Sequence, residues 1–442
     1  MPDDVPPLTP APSGPLTSVP SLAAVDLDDR APSVPPMDAA RRRTLLGSLL
    51  AVNLFLFATY AGVIVILLPA QVAELDPAHK AENLAVVTGI SALFTLFAQP
   101  IAGALSDRTR SRFGRRAPWI VAGGVAGGLL TIALQFAASL FWITLVWVVA
   151  QVALNALQGP LTAVIADRVE DRRRATAAAF AGVGTAVGAT VGVVLAGRLL
   201  GHLGLGYLAF GVLVAVVAVL FTVLNRDRHP FGGPRDPFSL GRFVKGFWVS
   251  PRRHPDFAWA FAGRFAMILG YQAVASYQLY ILTDYVHLAP ADAGATAGTL
   301  SICSMVTTVA GTLVFGRLSD RLGRRKVFVF VATLVMGAGV AIPLVAPTVA
   351  GMVLYSLVVG IGYGAYVAVD VALMVDVLPS TGDAARDLGV LNVATNIPQA
   401  LTGVIAATLL ALFHGDYAAI FVWSAVAVLA SSLFVLPIRS VR

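Results

Sequence analysis

Residues 103–116 read GALSDRTRSRFGRR, and residues 316–325 read GRLSDRLGRR. Each copy is a short charged stretch between two long apolar runs. Those runs belong to a set of twelve, at 44–70, 83–105, 118–137, 140–165, 176–200, 205–225, 257–284, 294–317, 327–346, 349–375, 388–412 and 417–438. About 20 apolar residues suffice to cross a bilayer, so every run is a candidate span. In hydrocarbon the backbone must satisfy its own polar groups, and continuous apolar runs of this length do so as α-helices. The sequence therefore predicts an all-α membrane protein with twelve transmembrane helices.

Composition excludes the soluble alternatives. Of 442 residues, 57% are hydrophobic and 12% are charged, against about 25% charged in ordinary soluble domains. Mean hydropathy is +0.80. Too few charges remain to cover a water-facing surface. The net charge of +7 does not imply a nucleic-acid partner, because the basic residues lie in short clusters between apolar runs. The single cysteine, Cys303, excludes an intrachain disulfide and a cysteine-cluster metal site. No nucleophile–base set, nucleotide loop or metal-ligand cluster stands out, so neither an enzyme nor a bound cofactor or metal is expected.

Residues 1–40 hold ten of the 26 prolines and six acids without a sustained apolar run. Such a segment buries too little surface to offset its ordering entropy and reads as a disordered cytoplasmic tail. It is not a signal peptide, since no apolar core follows an early basic cluster. Met37, just before Arg41–Arg43, is a second candidate start.

Orientation follows from the positive-inside rule. With both termini cytoplasmic, one side collects 28 of the 31 Lys and Arg residues; the exceptions are Lys80, Arg198 and the intramembrane Arg264. The repeat of the charged stretch, 213 residues apart, divides the chain into two six-helix halves of like orientation, 41–225 and 257–442, joined by a basic linker at 226–256. Parallel repeats of this kind place a substrate site between them.

Each charged stretch joins an inward-running helix to an outward-running one. Helix ends leave unpaired backbone groups and a partial charge, which Asp and Arg side chains can meet. The candidate gating residues are Gly103, Asp107, Arg108, Gly114, Arg115 and Arg116 in the first copy. In the second they are Gly316, Asp320, Arg321, Gly323, Arg324 and Arg325. Asp167 and Asp376, at the matching ends of spans four and ten, complete the set. These contacts either form in one domain arrangement and break in another, or they serve topology alone.

The repeated G-x-x-S-D-R…G-R-R loop resembles the signature of the major facilitator superfamily, over about residues 41–442. SDRTRSRFGRRAPWI (106–120) and LQGPLTAVIAD (157–167) are similar to stretches of sucrose/proton symporters and of the related glycoside–pentoside–hexuronide transporters. GYGAYVAVDVALMVDVLP (362–379) and DLGVLNVATNIPQ (387–399) resemble bacterial members near that group. The resemblance implies the major facilitator fold and alternating access, with sugar or glycoside uptake driven by protons or sodium. Where plant sucrose symporters carry an arginine important for symport, this chain has Thr162. Melibiose-type carriers use acidic residues within their second and fourth helices, where this chain has only Asp167 at the end of span four. Sodium coupling is disfavoured on that ground.

Polar residues inside the spans form stripes at helical spacing. Span four carries Gln151, Asn155 and Gln158, and span seven carries Tyr271, Gln272 and Gln278. Tyr363, Tyr366 and Asp370 lie on span ten, Asn392, Asn396 and Gln399 on span eleven, and Asn53 and Tyr60 on span one. A polyhydroxylated ligand needs many donors and acceptors with aromatic faces beside them, and amides with tyrosines supply both. Interhelical hydrogen bonding is the alternative use of the same residues. Four stripes together favour a polar cavity.

Arg264 and Asp370 each lie roughly 9–10 Å inside the expected cytoplasmic boundary at 1.5 Å per residue. Charges at such depth pair or face water. Asp370 is the candidate proton carrier, with Arg264 beside it; a fixed structural pair is the other reading.

The expected function is proton-coupled uptake of a sugar or glycoside by a multi-pass protein of the plasma membrane, a bacterial cytoplasmic membrane by the resemblance. Its partners are then the substrate, protons and the lipid bilayer. Proton-coupled efflux of a small amphiphile is the alternative on the same fold, although span five lacks the Gly-Pro pair typical of drug/proton antiporters. A non-transporting receptor would have broken loop motifs and an apolar cavity, and this sequence has neither.

Overall fold

The computed structural model describes residues 37–226, 254–376 and 384–438, and among them there is no β-strand. Counting one bent pair as a single span, the described residues form twelve spanning helices, beginning with α1 (Ala39–Leu75), α2 (Lys80–Arg108), α3 (Ala117–Phe136), α4 (Leu140–Arg168), α5 (Arg174–Arg198) and α6 (Leu203–Leu224). They continue with α7 (Pro255–Ser276 and Gln278–Tyr285), α8 (Pro290–Leu322), α9 (Arg325–Val345), α10 (Val349–Asp376), α11 (Ala384–Leu412) and α12 (Ala418–Val435). All but four residues of the expected tail and all but four residues at the edges of the expected linker lie outside the described residues, as do the side chains of Asp320, Asp376 and Asn392.

Several helices overrun their apolar runs, because backbone hydrogen bonding continues until a residue interrupts it. Pro290 sits in the first turn of α8, where its missing N–H costs nothing. Gly323, at φ 60°, ends the same helix in the left-handed conformation. Within α1 the turn widens to a π-helix over Val63–Leu67, directly before Pro69. A proline ring clashes with the carbonyl four residues earlier in a regular helix, and the wider turn relieves it.

Span seven departs from the expectation of one continuous helix. It is broken at Tyr277 and bent by 52°. Tyr277 leaves the helical region (φ −106°, ψ 14°), and its hydroxyl donates to the Ala81 carbonyl on α2 at 3.0 Å and the Gly403 carbonyl on α11 at 3.2 Å. Neither glycine nor proline marks this break, so composition gives no sign of it.

The packing pattern repeats. α1 packs on α5 and α6, α3 on α4 and α6, and α2 on α4; correspondingly α7 packs on α11 and α12, α9 on α10 and α12, and α8 on α10. The two sets of six meet through α2 with α11 and α5 with α8. The seam between α1 and α5 depends on small residues. A Cβ on Gly184, Gly188 or Gly192 would lie 2.4, 2.2 or 2.2 Å from the carbonyl oxygens of Leu50, Leu54 and Ala58. Close helix approach of this kind replaces the hydrophobic driving force that lipid does not supply.

Gly188→Val should therefore separate α1 from α5. Overpacking of this kind costs about 1–3 kcal/mol, read as a lower melting temperature of the detergent-solubilised protein, whereas Gly182→Val, with open space around it, should melt normally.

Candidate functional site

Two intramembrane charges meet. Arg264 on α7 forms an ion pair with Asp370 on α10, and its guanidinium also donates to Thr395 Oγ1 on α11, from Nη2 at 3.1 Å and Nε at 3.3 Å. The second oxygen of Asp370 accepts from the Tyr366 hydroxyl at 2.6 Å. Asp370 is 3% exposed, and two donors hold it, Arg264 from α7 and Tyr366 from its own helix. Above the pair, the rings of Tyr271 and Tyr363 stack 4.6 Å apart at 8° to parallel.

These residues, with Gln272, Gln399, Met267 and Ile268, line a cavity of ≈ 90 Å³, room for about three waters at ~30 Å³ each. Of the expected site residues, Arg264, Asp370, Tyr271, Gln272, Tyr363, Tyr366 and Gln399 are thus brought together. Asn396 is half-buried one residue after Thr395, and Gln278 follows the break in α7. Thr395 was not foreseen, because a lone threonine in a span usually bonds to its own helix.

The residues from the first six helices do not line this cavity. Asn53 and Asn155 are buried, and their amide N–H groups donate to the Leu49 and Gln151 carbonyls of their own helices, each at 2.8 Å. Gln151 is buried and Gln158 half-buried on the same helix. The Tyr60 hydroxyl is buried with no hydrogen-bond partner, its ring edge-on to Phe57.

At the arginine-rich end, Arg116 draws three helix ends together. It is 4% exposed and caps α3. It pairs with Asp107 of α2 at 2.5 Å and Asp167 of α4 at 2.9 Å, and donates to Ser106 Oγ at 2.6 Å. Arg115 also pairs with Asp167 at 2.7 Å, and Gly114 turns the loop at φ 98°. Gly103, whose carbonyl accepts weakly from Arg116 at 3.5 Å, and exposed Arg108 belong to the same helix end. All of these bonds lie within the first six helices. In the second copy, a Cβ on Gly316 would meet Ala368 at an ordinary 3.5 Å, Arg324 precedes α9 and Arg325 opens it, and Arg321 occupies the last turn of α8.

The opposite end joins the two sets of helices, which the sequence reading did not foresee. Lys80 at the start of α2 pairs with Asp284 at the end of α7 at 2.7 Å, and Asp284 also accepts from the Tyr417 hydroxyl at 2.9 Å. The Tyr280 hydroxyl donates to the Pro69 carbonyl of α1 at 2.8 Å. Lower in the seam, Gly197 of α5 lies against Gly294 of α8, where a Cβ would come within 2.2 Å of the Gly294 carbonyl. Lys80 as one of three exceptions to the arginine-side rule was the signal available for this latch.

Among the described residues, twelve spans in two matching sets, with a buried charged pair and stacked tyrosines between α7 and α10, mark a polytopic membrane transporter. The Major Facilitator Superfamily model matches residues 49–294 and 263–442, and the chain belongs to that superfamily. It is similar to MFS transporter asaE of Aspergillus flavus, at 26% identity over 280 residues, 61% of this chain and 59% of that one. Similarity to Sucrose transport protein SUC4 of Arabidopsis thaliana is 33% over 148 residues, 28% of this chain and 29% of that one. These matches thus span less than two thirds of each relative's own length. In fold, the chain resembles a D-xylose-proton symporter (TM-score 0.61, 16% identity, 90% of this chain and 96% of the other). It also resembles a bacterial homolog of the human lysosomal transporter Spinster in an inward-facing and occupied conformation (TM-score 0.67, 15% identity, 91% and 96%).

The arginine cluster separates folding from gating. Arg116→Gln leaves Asp167 with one partner in a half-closed site; losing a partner from a buried pair costs about 3–5 kcal/mol, seen as low folded yield. Asp107, with its side chain 52% exposed, should tolerate Asn with near-normal melting while transport slows. Equal loss of equilibrium binding and transport in Asp107→Asn would count against a gating role.

Proposed function

We propose that this chain takes up a sugar or glycoside across the plasma membrane in symport with protons, with its arginine-rich end in the cytoplasm. The observation that carries this reading is the Arg264–Asp370–Tyr366–Thr395 cluster beneath the stacked Tyr271–Tyr363 pair. Aromatic faces suit the C–H surfaces of a sugar ring, and Gln272 and Gln399 on the same wall offer donors and acceptors to its hydroxyls. The sucrose and xylose carriers among the similar proteins favour the same substrate class.

In this reading the proton resides on Asp370. When ionised, the carboxylate holds Arg264 and accepts from Tyr366; when protonated it loses its hold on the guanidinium, and α7 and α10 are no longer tied by charge. The two protonation states thus favour different placements of these helices, and substrate binding at the same wall couples to them. In this reading the latched end lies outside, where Lys80–Asp284 and the Tyr277 and Tyr280 bonds would hold the outer side closed.

Proteoliposomes offered a panel of labelled sugars and glycosides, with and without an imposed proton gradient, test the substrate and the coupling together. A substrate expelled rather than accumulated when the gradient is inward would reverse the assignment to efflux. In Asp370→Asn, gradient-driven accumulation should be lost while exchange of substrate down its own gradient persists. Should Asp370 serve merely as the partner of Arg264, the variant will express poorly and recover when Arg264→Gln is added. Normal proton-driven accumulation by a well-folded Asp370→Asn carrier removes Asp370 from the mechanism.

Release of the latch is a separate measurement. Lys80→Ala should shift labelling of a cysteine placed near the outer side of the centre toward greater access, by several-fold, with little change in melting temperature. Unchanged access would mean that the tyrosine bonds alone hold that end closed.

A further inference from the structure

A second cavity, of ≈ 250 Å³, lies at the arginine-rich end between the start of α1, the end of α4 and the start of α5. Its lining divides by chemistry: Met37, Leu45, Leu46 and Val169 form an apolar side, and Arg42, Arg168 and Arg173 a basic one. Glu170 and Thr176 complete it. Glu170 lies 3.6 Å from Arg173, so the lining keeps an excess of positive charge. Arg168 donates to the Asn225 carbonyl at 2.6 Å, which fixes its guanidinium against the bundle.

The cavity's level along the helices identifies its ligand. Leu45 and Leu46 open the first apolar run, whereas Arg42, Arg168 and Arg173 stand just beyond the ends of runs 44–70 and 140–165 and before run 176–200. The basic side is therefore at the depth of the lipid phosphates and the apolar side at the depth of the first acyl carbons. Basic pockets between transmembrane helices at this level bind anionic headgroups. A soluble phosphate compound would have no use for the apolar side, and a zwitterionic lipid would gain little from three arginines. We propose that this cavity is a binding site for one anionic phospholipid, its phosphate between Arg42 and Arg173 and its glycerol and upper acyl chain against Leu45, Leu46 and Met37. An occupant there ties α1 to the α4–α5 turn. This site is apart from the transport centre and does not depend on the identity of the transported substrate.

The test is thermal unfolding of the full-length detergent-solubilised protein, without transport substrate, during titration with phosphatidylglycerol, phosphatidylcholine or inorganic phosphate. Phosphatidylglycerol should raise the melting temperature saturably, and the other two should not. Arg42→Gln with Arg173→Gln should require about thirtyfold more phosphatidylglycerol for the same shift, given about 1 kcal/mol per basic residue at a membrane surface. Arg110→Gln with Arg112→Gln, exposed at the same end but outside the cavity, should behave as the unaltered protein. If the first pair fails to fold, Thr176→Glu, which places a carboxylate at the exposed rim, should weaken the lipid effect in its place. An unchanged titration in the cavity variants overturns the site, and so does equal loss in the Arg110 and Arg112 variant, which would mean diffuse charge attraction. Stabilisation by inorganic phosphate alone would make it a free-anion site rather than a lipid site.

Discussion

A polar group inside hydrocarbon has no water to turn to, and most of this architecture follows from that one constraint. The backbone closes its bonds in helices, and the charges are driven to the two ends. Within the spans, contact comes from small residues such as Gly184, Gly188 and Gly192 fitted against the carbonyls of α1. Arg264 and Asp370 are the exceptions that the constraint makes informative. A charge near the bilayer centre costs about 2.5–3.5 kcal/mol or more, and the protein offsets this by giving both groups several partners from α7, α10 and α11. Three helices of one set are thereby tied at a single point whose strength depends on the charge of one carboxylate.

The two ends of the bundle are held by different kinds of contact. At the arginine-rich end, Arg116 joins α2, α3 and α4 of one set. At the other end, the directed bonds run between sets: Lys80 to Asp284, Tyr280 to Pro69, Tyr277 to Ala81. Interactions within a set are continuous packing and are costly to break, whereas the latch consists of a few polar bonds with partly exposed charges, each worth about a kcal/mol. In the proposed transport cycle such a bundle moves its sets as bodies and gives way first at the latch, as a two-state element rather than a deformable one.

Most of the fold was legible because lipid imposes a strong local signal: among the described residues, eleven of the twelve apolar runs became single spanning helices and the seventh a bent pair. The break at Tyr277 was not, since it arises from bonds to Ala81 and Gly403, far away in sequence. The charged pair at Arg264 and Asp370 could be foreseen because depth alone makes such residues conspicuous. Thr395 could not, because a threonine carries no comparable cost and its partner is set by the tertiary fold. Helical spacing put Asn53, Asn155, Tyr271 and Tyr363 on facing stripes, but spacing cannot tell a side chain that reaches across from one that bonds to its own helix. Tyr271 and Tyr363 meet across two helices; Asn53 and Asn155 turn back.

That last difference shapes what the centre can offer a ligand. An asparagine that commits one amide N–H to its own helix retains the other N–H and its carbonyl oxygen, so Asn53 and Asn155 keep one donor and their acceptor. On the other set, three N–H groups of the guanidinium are engaged by Asp370 and Thr395, and a pair of tyrosine rings with two glutamines lines the cavity beside that pair. A strongly anionic ligand would have to displace Asp370 from Arg264 and leave a buried carboxylate with fewer partners, which is unfavourable while Asp370 is ionised. A neutral hydroxylated ligand disturbs no charge: its hydroxyls donate to amide oxygens and its C–H face rests on a ring. In the proposed symport the electrostatic arrangement favours an uncharged substrate on the same physical grounds that keep the pair intact, and leaves the change of charge at Asp370 to the proton.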